Sequence, residues 1–128
     1  MRPVHVTTGE GKFQQRIEIG PNTFLADEER SVGGDDSGPA PHEILLASLG
    51  ACTSMTVKMY ADRKGWPLER VDVNVTGEKV DDAFQMNVAV TLHGPLDDAQ
   101  KQRLLEIANK CPVHRTLTNP LRLVVQAA

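Results

Sequence analysis

Neither sign of charge dominates this sequence, and that removes several classes of partner. Fourteen Lys and Arg stand against 17 Asp and Glu, a net charge of −3, with both signs mixed along the chain. It has no basic stripe to track a phosphate backbone and no polybasic amphipathic segment to lie on an anionic membrane. No nucleic acid and no membrane surface is therefore expected as a partner. The longest apolar run, Ile44 to Cys52, is short for a bilayer span and contains Gly50. The opening residues, MRPVHVTTGEGK, lack the apolar core of a secretory signal, so a cytoplasmic protein is expected. Cysteine is scarce, with Cys52 and Cys111 alone. In a reducing compartment such a pair is reactive or inert rather than a structural staple. The glycine-rich GGDDSG is no phosphate loop, because no Lys-Ser/Thr pair follows it. No repeat and no linker divides the 128 residues, which predicts one domain over 1–128.

What the chain does have is one dominant stretch, Pro41 to Lys64. Proline suits a first helical position, where its missing N–H would be unpaired anyway. Gly65 is placed to end the helix as a left-handed cap, and Trp66-Pro67 bar its continuation. Between these signals the first four turns are apolar nearly all round, which predicts a helix buried on most sides, in a core or against a second chain. Cys52 sits in its middle.

The flanking segments alternate with a period of two. Val4 and Val6, then Phe13, Gln15, Ile17 and Ile19, then Thr23 to Ala26 read as three strands of an antiparallel meander. Residues 27–40, rich in Gly, Asp and Pro, form a long irregular loop of the kind that is usually functional or mobile. Within it Asp27, Glu28 and Glu29 read most simply as solvated. Val71, Val73 and Val75, then Phe84, Met86, Val88, Val90 and Leu92, predict two further strands turning at Asp81-Asp82. Asp97 with Gln100 forms a capping box for a helix whose stripe is Leu104, Ile107, Ala108 and Cys111. Pro112 ends that helix and can begin a short one through Leu117. Leu121, Leu123 and Val125 alternate as a last strand. The order of elements indicates an α+β fold with an antiparallel sheet. The long helix has more apolar surface than one sheet face covers, so a homodimer is expected.

The two cysteines are the first candidates for chemistry. Each can be a small core hydrophobe, since unpaired cysteine is among the most buried residue types. They can also be a redox pair joined by the fold. Cys111 precedes a helix start, where partial positive charge stabilises a thiolate, and His114 and Arg115 lie in the next turn. Cys52 has no such help from its sequence neighbours. A zinc site is a weaker use: Cys111 and His114 supply half a spacing, and His5, His42 and His93 are scattered, so no metal is expected. A thiol hydrolase using Cys52 with His42 or His114 is a third possibility.

The run GPAPHEILLASLGACTSM, then KGW, two valine-rich strands and CPVHRTL, resembles the OsmC/Ohr family of bacterial stress proteins. The resemblance covers nearly the whole chain and is closest to the general OsmC-like members. It implies an intertwined homodimer, with a curved antiparallel sheet around long buried helices and active sites at the subunit interface. It also implies a peroxidase that reduces small organic hydroperoxides. Cys52 would be the attacking thiolate, and Cys111 would resolve its sulfenic acid to a disulfide. No bound cofactor is implied. The reductant would be an external dithiol such as a lipoylated protein, or a small thiol. Apolar Leu45, Leu49, Met55 and Met59 would favour an organic peroxide. Peroxidase members place a glutamate directly after the proline to hold an arginine over the thiolate. Here that place belongs to His42, with Glu43 one residue late. At about 100° per residue, Glu43 falls roughly opposite Cys52 on the helix and His42 about 80° away. The Gly-Gly-Arg of those members is missing, and Arg16 and Arg115 are the nearest substitutes. That gap leaves open a non-catalytic OsmC-like protein that senses redox state or binds a small molecule.

Overall fold

Glycine, proline and short polar side chains punctuate the chain, and the elements begin and end at them. The computed structural model describes residues 1–128. Its elements are β1 (His5–Thr8), β2 (Gln15–Ile19), β3 (Asn22–Ala26), a single 3-10 turn (Arg30–Val32), α1 (Pro41–Lys64), β4 (Arg70–Val80), β5 (Ala83–His93), α2 (Asp98–Ala108) and α3 (Pro112–Thr118). This is the α+β arrangement read from the sequence. The chain forms two compact units, residues 1–45 and 46–128, with the boundary inside α1.

In the first unit β1, β2 and β3 make an antiparallel meander in which Ile17 pairs with both Val6 and Phe24. Ile17 and Ala26 are its buried apolar residues. Arg16 and Glu18 alternate onto the other face and pair there at 2.9 Å. The loop that follows differs from its expected solvated character. Asp27 is 2% exposed. Its carboxylate accepts from the backbone N–H of Glu28 (2.7 Å), Asp35 (3.3 Å) and Ser37 (3.1 Å), and from the Ser37 hydroxyl (2.6 Å). The Ser37 hydroxyl first, then the Glu28 N–H, hold the Asp27 carboxyl below the usual carboxylate range. One charged side chain thus gathers donors from both arms of the loop.

In the second unit β4 and β5 form an antiparallel ribbon turning at Asp81, whose φ is 54°. Val71, Val73 and Val75 pair with Leu92, Val90 and Val88 across one face. The core gathers Val57, Ala61, Leu68, Leu96 and Leu104, with Trp66, Val71 and Leu92 packed against them. Gly65 ends α1 with φ 70°, a left-handed turn that glycine takes without strain. Asp97 and Gln100 exchange both bonds of the capping box. Gly50 lets α1 lie close to β4, since a methyl there would sit 3.1 Å from the Val75 side chain.

Two expectations change. The buried residues of α1 form a single row, Leu49, Thr53, Val57 and Ala61, each four positions after the last. Met55 and Met59 are more than 60% exposed, so within one chain the helix is not covered all round. By length and composition α1 is long enough to cross a membrane, further than the apolar run alone indicated. Val57 and Ala61 of its buried row join the core of this unit. The expected last strand is absent: residues 120–128 are irregular, with Leu123 87% and Val125 97% exposed. Alternation marks a segment able to be a strand, but a strand forms only when another edge accepts its backbone bonds.

Leu104 is fully buried, so Leu104→Ala is expected to cost about 2–5 kcal/mol in denaturant unfolding. Asp27→Asn is expected to lower the melting temperature at neutral pH. A carboxyl with a lowered folded pKa stabilises above its unfolded value, and that contribution fades as the pH falls through the folded one. The gap between variant and wild type should therefore narrow on acidification; a gap that ignores pH would contradict the role assigned to Asp27.

Candidate functional site

A helix start leaves backbone N–H groups without partners inside the helix. At α3 the first helical residue is Pro112, which has no N–H. The next two amides both point at sulfur. Val113 N–H donates to Cys52 Sγ at 3.5 Å, and His114 N–H donates to Cys111 Sγ at 3.2 Å. Arg115 N–H then closes the first turn on the Cys111 carbonyl at 3.1 Å. Cys111 is the N-cap of α3, with its backbone extended (φ −69°, ψ 146°). Cys52 arrives from the middle of α1. The two thiols, 59 positions apart in the sequence, thus share one helix start, and neither is in a disulfide.

Their surroundings differ. Cys111 is fully buried and Cys52 is partly exposed. Thr53, beside Cys52 in sequence, is 2% exposed. Its hydroxyl lies 2.9 Å from the Leu49 carbonyl and 3.7 Å from Cys111 Sγ. Sequence reasoning missed Thr53. The available signal was its place in the four-residue row with Leu49, Val57 and Ala61.

The second unit also holds a recess of about 320 Å³ whose lining includes neither cysteine. Thr56, Met59 and Tyr60 of α1 wall it with Ile107 and Pro112, and Arg63 and Lys110 bring positive charge. Thr56 lies one turn beyond Cys52, and Lys110 and Pro112 flank Cys111. Tyr60 is held in place: Arg103 Nε donates to its hydroxyl at 3.1 Å, and the ring meets Trp66 edge-on at 5.6 Å. The Arg103 bond lowers the Tyr60 pKa, and the same bond raises that of Arg103.

The other sequence candidates fall as follows. Leu49 is buried and supplies the carbonyl beside Thr53; Met59 lines the recess, whereas Met55 is exposed and does not. Leu45 lines a shallow cavity of about 280 Å³ with Pro41 and His42 in the first unit. Glu43 accepts from the Ala40 N–H at 2.8 Å, so its carboxylate serves the start of α1. Arg16 is occupied by Glu18. Arg115 is exposed, and its side chain bonds to neither sulfur; nor does the His114 imidazole. No set of three or more His, Cys, Asp or Glu side chains converges as metal ligands would.

A fold of this kind, with two thiols on one helix start, defines a class of small α+β cysteine proteins. Residues 34–126 match the model of the family described as OsmC-like protein, and the chain belongs to that family. No curated protein sequence matches it. Among solved structures it is similar to one from Psychrobacter arcticus 273-4, named for osmotic stress induction and detoxification response. The TM-score is 0.77 at 21% identity, covering 90% of this chain and 87% of that one. It is also similar to the OsmC-like protein of Mycoplasma pneumoniae, with TM-score 0.77, 19% identity, and 91% and 86% coverage. A third is the organic hydroperoxide resistance protein OsmC of Legionella pneumophila, with TM-score 0.67, 18% identity, and 92% and 89% coverage. At these identities the likeness speaks for the fold.

The difference in burial predicts an order of reaction. A maleimide reagent added to the native protein is expected to label Cys52 well before Cys111, as read by peptide mass spectrometry over time. Equal rates would contradict the burial of Cys111.

Proposed function

We propose that this protein is a thiol-dependent peroxidase that reduces organic hydroperoxides and serves in oxidative-stress defence. The observation that carries this reading is the pair of sulfurs on consecutive N–H groups of α3. A backbone N–H directed at sulfur favours negative charge there. Family membership and the hydroperoxide resistance named for the Legionella relative support the same direction.

In the proposed cycle the Cys52 thiolate attacks the terminal peroxide oxygen. The O–O bond breaks, the alkoxide takes a proton and leaves as alcohol, and Cys52 becomes a sulfenic acid. Cys111 attacks that sulfur, the S–O bond breaks, and water leaves with the Cys111 proton. An external dithiol, such as a lipoylated protein, reduces the resulting disulfide by exchange. Met59, Tyr60, Ile107 and Pro112 offer apolar contact to the organic part of the peroxide, with Arg63 and Lys110 at hand for a polar end. The family's glutamate-held arginine is not required of Glu43 or Arg16, which have other partners. A second copy of the chain covering Met55 and the outer side of α1 completes the proposal as a homodimer.

With an organic hydroperoxide and a dithiol, the wild type should consume peroxide and Cys52→Ser should fall to background. Mass spectrometry of the wild type after peroxide alone should show loss of two hydrogens, with Cys52 linked to Cys111. Cys111→Ser should stop at a sulfenic acid on Cys52. Inert thiols under these conditions would sink the reading and leave a binding protein on the same scaffold.

A further inference from the structure

Thr53 has one hydroxyl proton and two acceptors in reach, the Leu49 carbonyl and Cys111 Sγ. Bonding to a carbonyl four residues back is an ordinary habit of threonine in helices. A buried sulfur on the other side of the same oxygen is not part of that habit. Cys111 has no exposure at all, and its sulfur meets two polar partners, the His114 N–H and the Thr53 hydroxyl. As a thiol it accepts from the first and can donate its own proton only to the second.

We infer that Thr53 is a positioning residue for Cys111, a hydroxyl that accepts from the thiol and turns to donate to the thiolate. In the resting state the shorter contact, 2.9 Å, marks the Leu49 carbonyl as the hydroxyl's acceptor. The oxygen lone pairs then face the Cys111 S–H. When Cys111 loses its proton, rotation about the C–O bond brings the Thr53 proton to the sulfur. The Leu49 carbonyl keeps its ordinary helix bond from the Thr53 N–H, so the turn leaves no group unpaired. The thiolate then has two donors, His114 N–H and Thr53 O–H, in a fully buried place. The inference takes its catalytic meaning from the peroxidase reading above: Thr53 would aid the resolving step rather than the attack on peroxide. In that step Cys52–S–OH, formed by the organic hydroperoxide, and Cys111–SH give the disulfide and water. The Cys111 proton leaves with the sulfenic oxygen.

The test needs no peroxide in its first arm. In Cys52→Ser protein Cys111 is the sole thiol, and its ionisation is read by thiolate ultraviolet absorbance against pH. The titratable and charged neighbours are Lys110 before Cys111 and His114 and Arg115 after it, position 52 on α1 being an uncharged serine in this variant. Adding Thr53→Val, close in shape but without the hydroxyl, should move the absorbance midpoint upward, because the thiolate loses a donor. Thr53→Ser should restore it, which a mere packing role would not predict. A midpoint unchanged in Thr53→Val overturns the inference, whatever the protein does with peroxides. In the second arm the single Thr53→Val variant is exposed to organic hydroperoxide and dimedone. Dimedone-trapped Cys52 should rise several-fold at the expense of disulfide. Unchanged partition between trapped sulfenate and disulfide likewise counts against Thr53. Loss of first-turnover consumption in the wild type itself would instead sink the peroxidase reading and leave the absorbance arm standing.

Discussion

The site depends on what becomes of the backbone donors at the start of α3. A proline at the first helical position removes one donor and leaves those of Val113 and His114 to be satisfied. Oxygen side chains usually meet that need, as Asp97 does at α2. Here sulfur does, and from two distant parts of the chain. Such bonds are longer and weaker than those to a carboxylate, so the start of α3 binds its sulfurs without locking them.

How Cys52 reaches α3 follows from α1. The row Leu49, Thr53, Val57 and Ala61 is the side of the helix that packs in the second unit, and Cys52 lies next to it rather than on it. Burial at 53 and partial exposure at 52 are consecutive steps around one cylinder, about 100° apart. A one-residue change in the phase of the helix would carry Cys52 into the buried position and Thr53 about 100° further around. Gly50 adds to the close approach, because a methyl there would press on the Val75 side chain of β4.

Much of this was legible in the sequence. Gly65, the Asp97–Gln100 box and the valine alternation each sit where their local rule placed them, and Pro112 begins a short helix as expected, although α2 ends earlier, at Ala108, and leaves Cys111 outside its stripe. The two cysteines were legible as candidates because they are scarce and because the surrounding run resembles a known family. Their shared helix start was not, since Val113 contributes only backbone and no side-chain pattern announces an amide. Thr53 was hidden for a related reason: a threonine in an apolar helix reads as filler until the group opposite it is known. Asp27 misled in the other direction. Acidic residues in a glycine-rich loop usually face water, and only the return of Asp35 and Ser37 toward it shows the carboxylate as the loop's organiser.

The tail after Asn119 has a practical side. Leu121, Leu123, Val124 and Val125 stand mostly in water, and Arg122 is the one charged residue among them. Hydrocarbon held out in this way is what environment-sensitive dyes adsorb to. A chain with its tail in this state will fluoresce with such a dye before any heating, so a dye-based melting curve will begin from a high baseline.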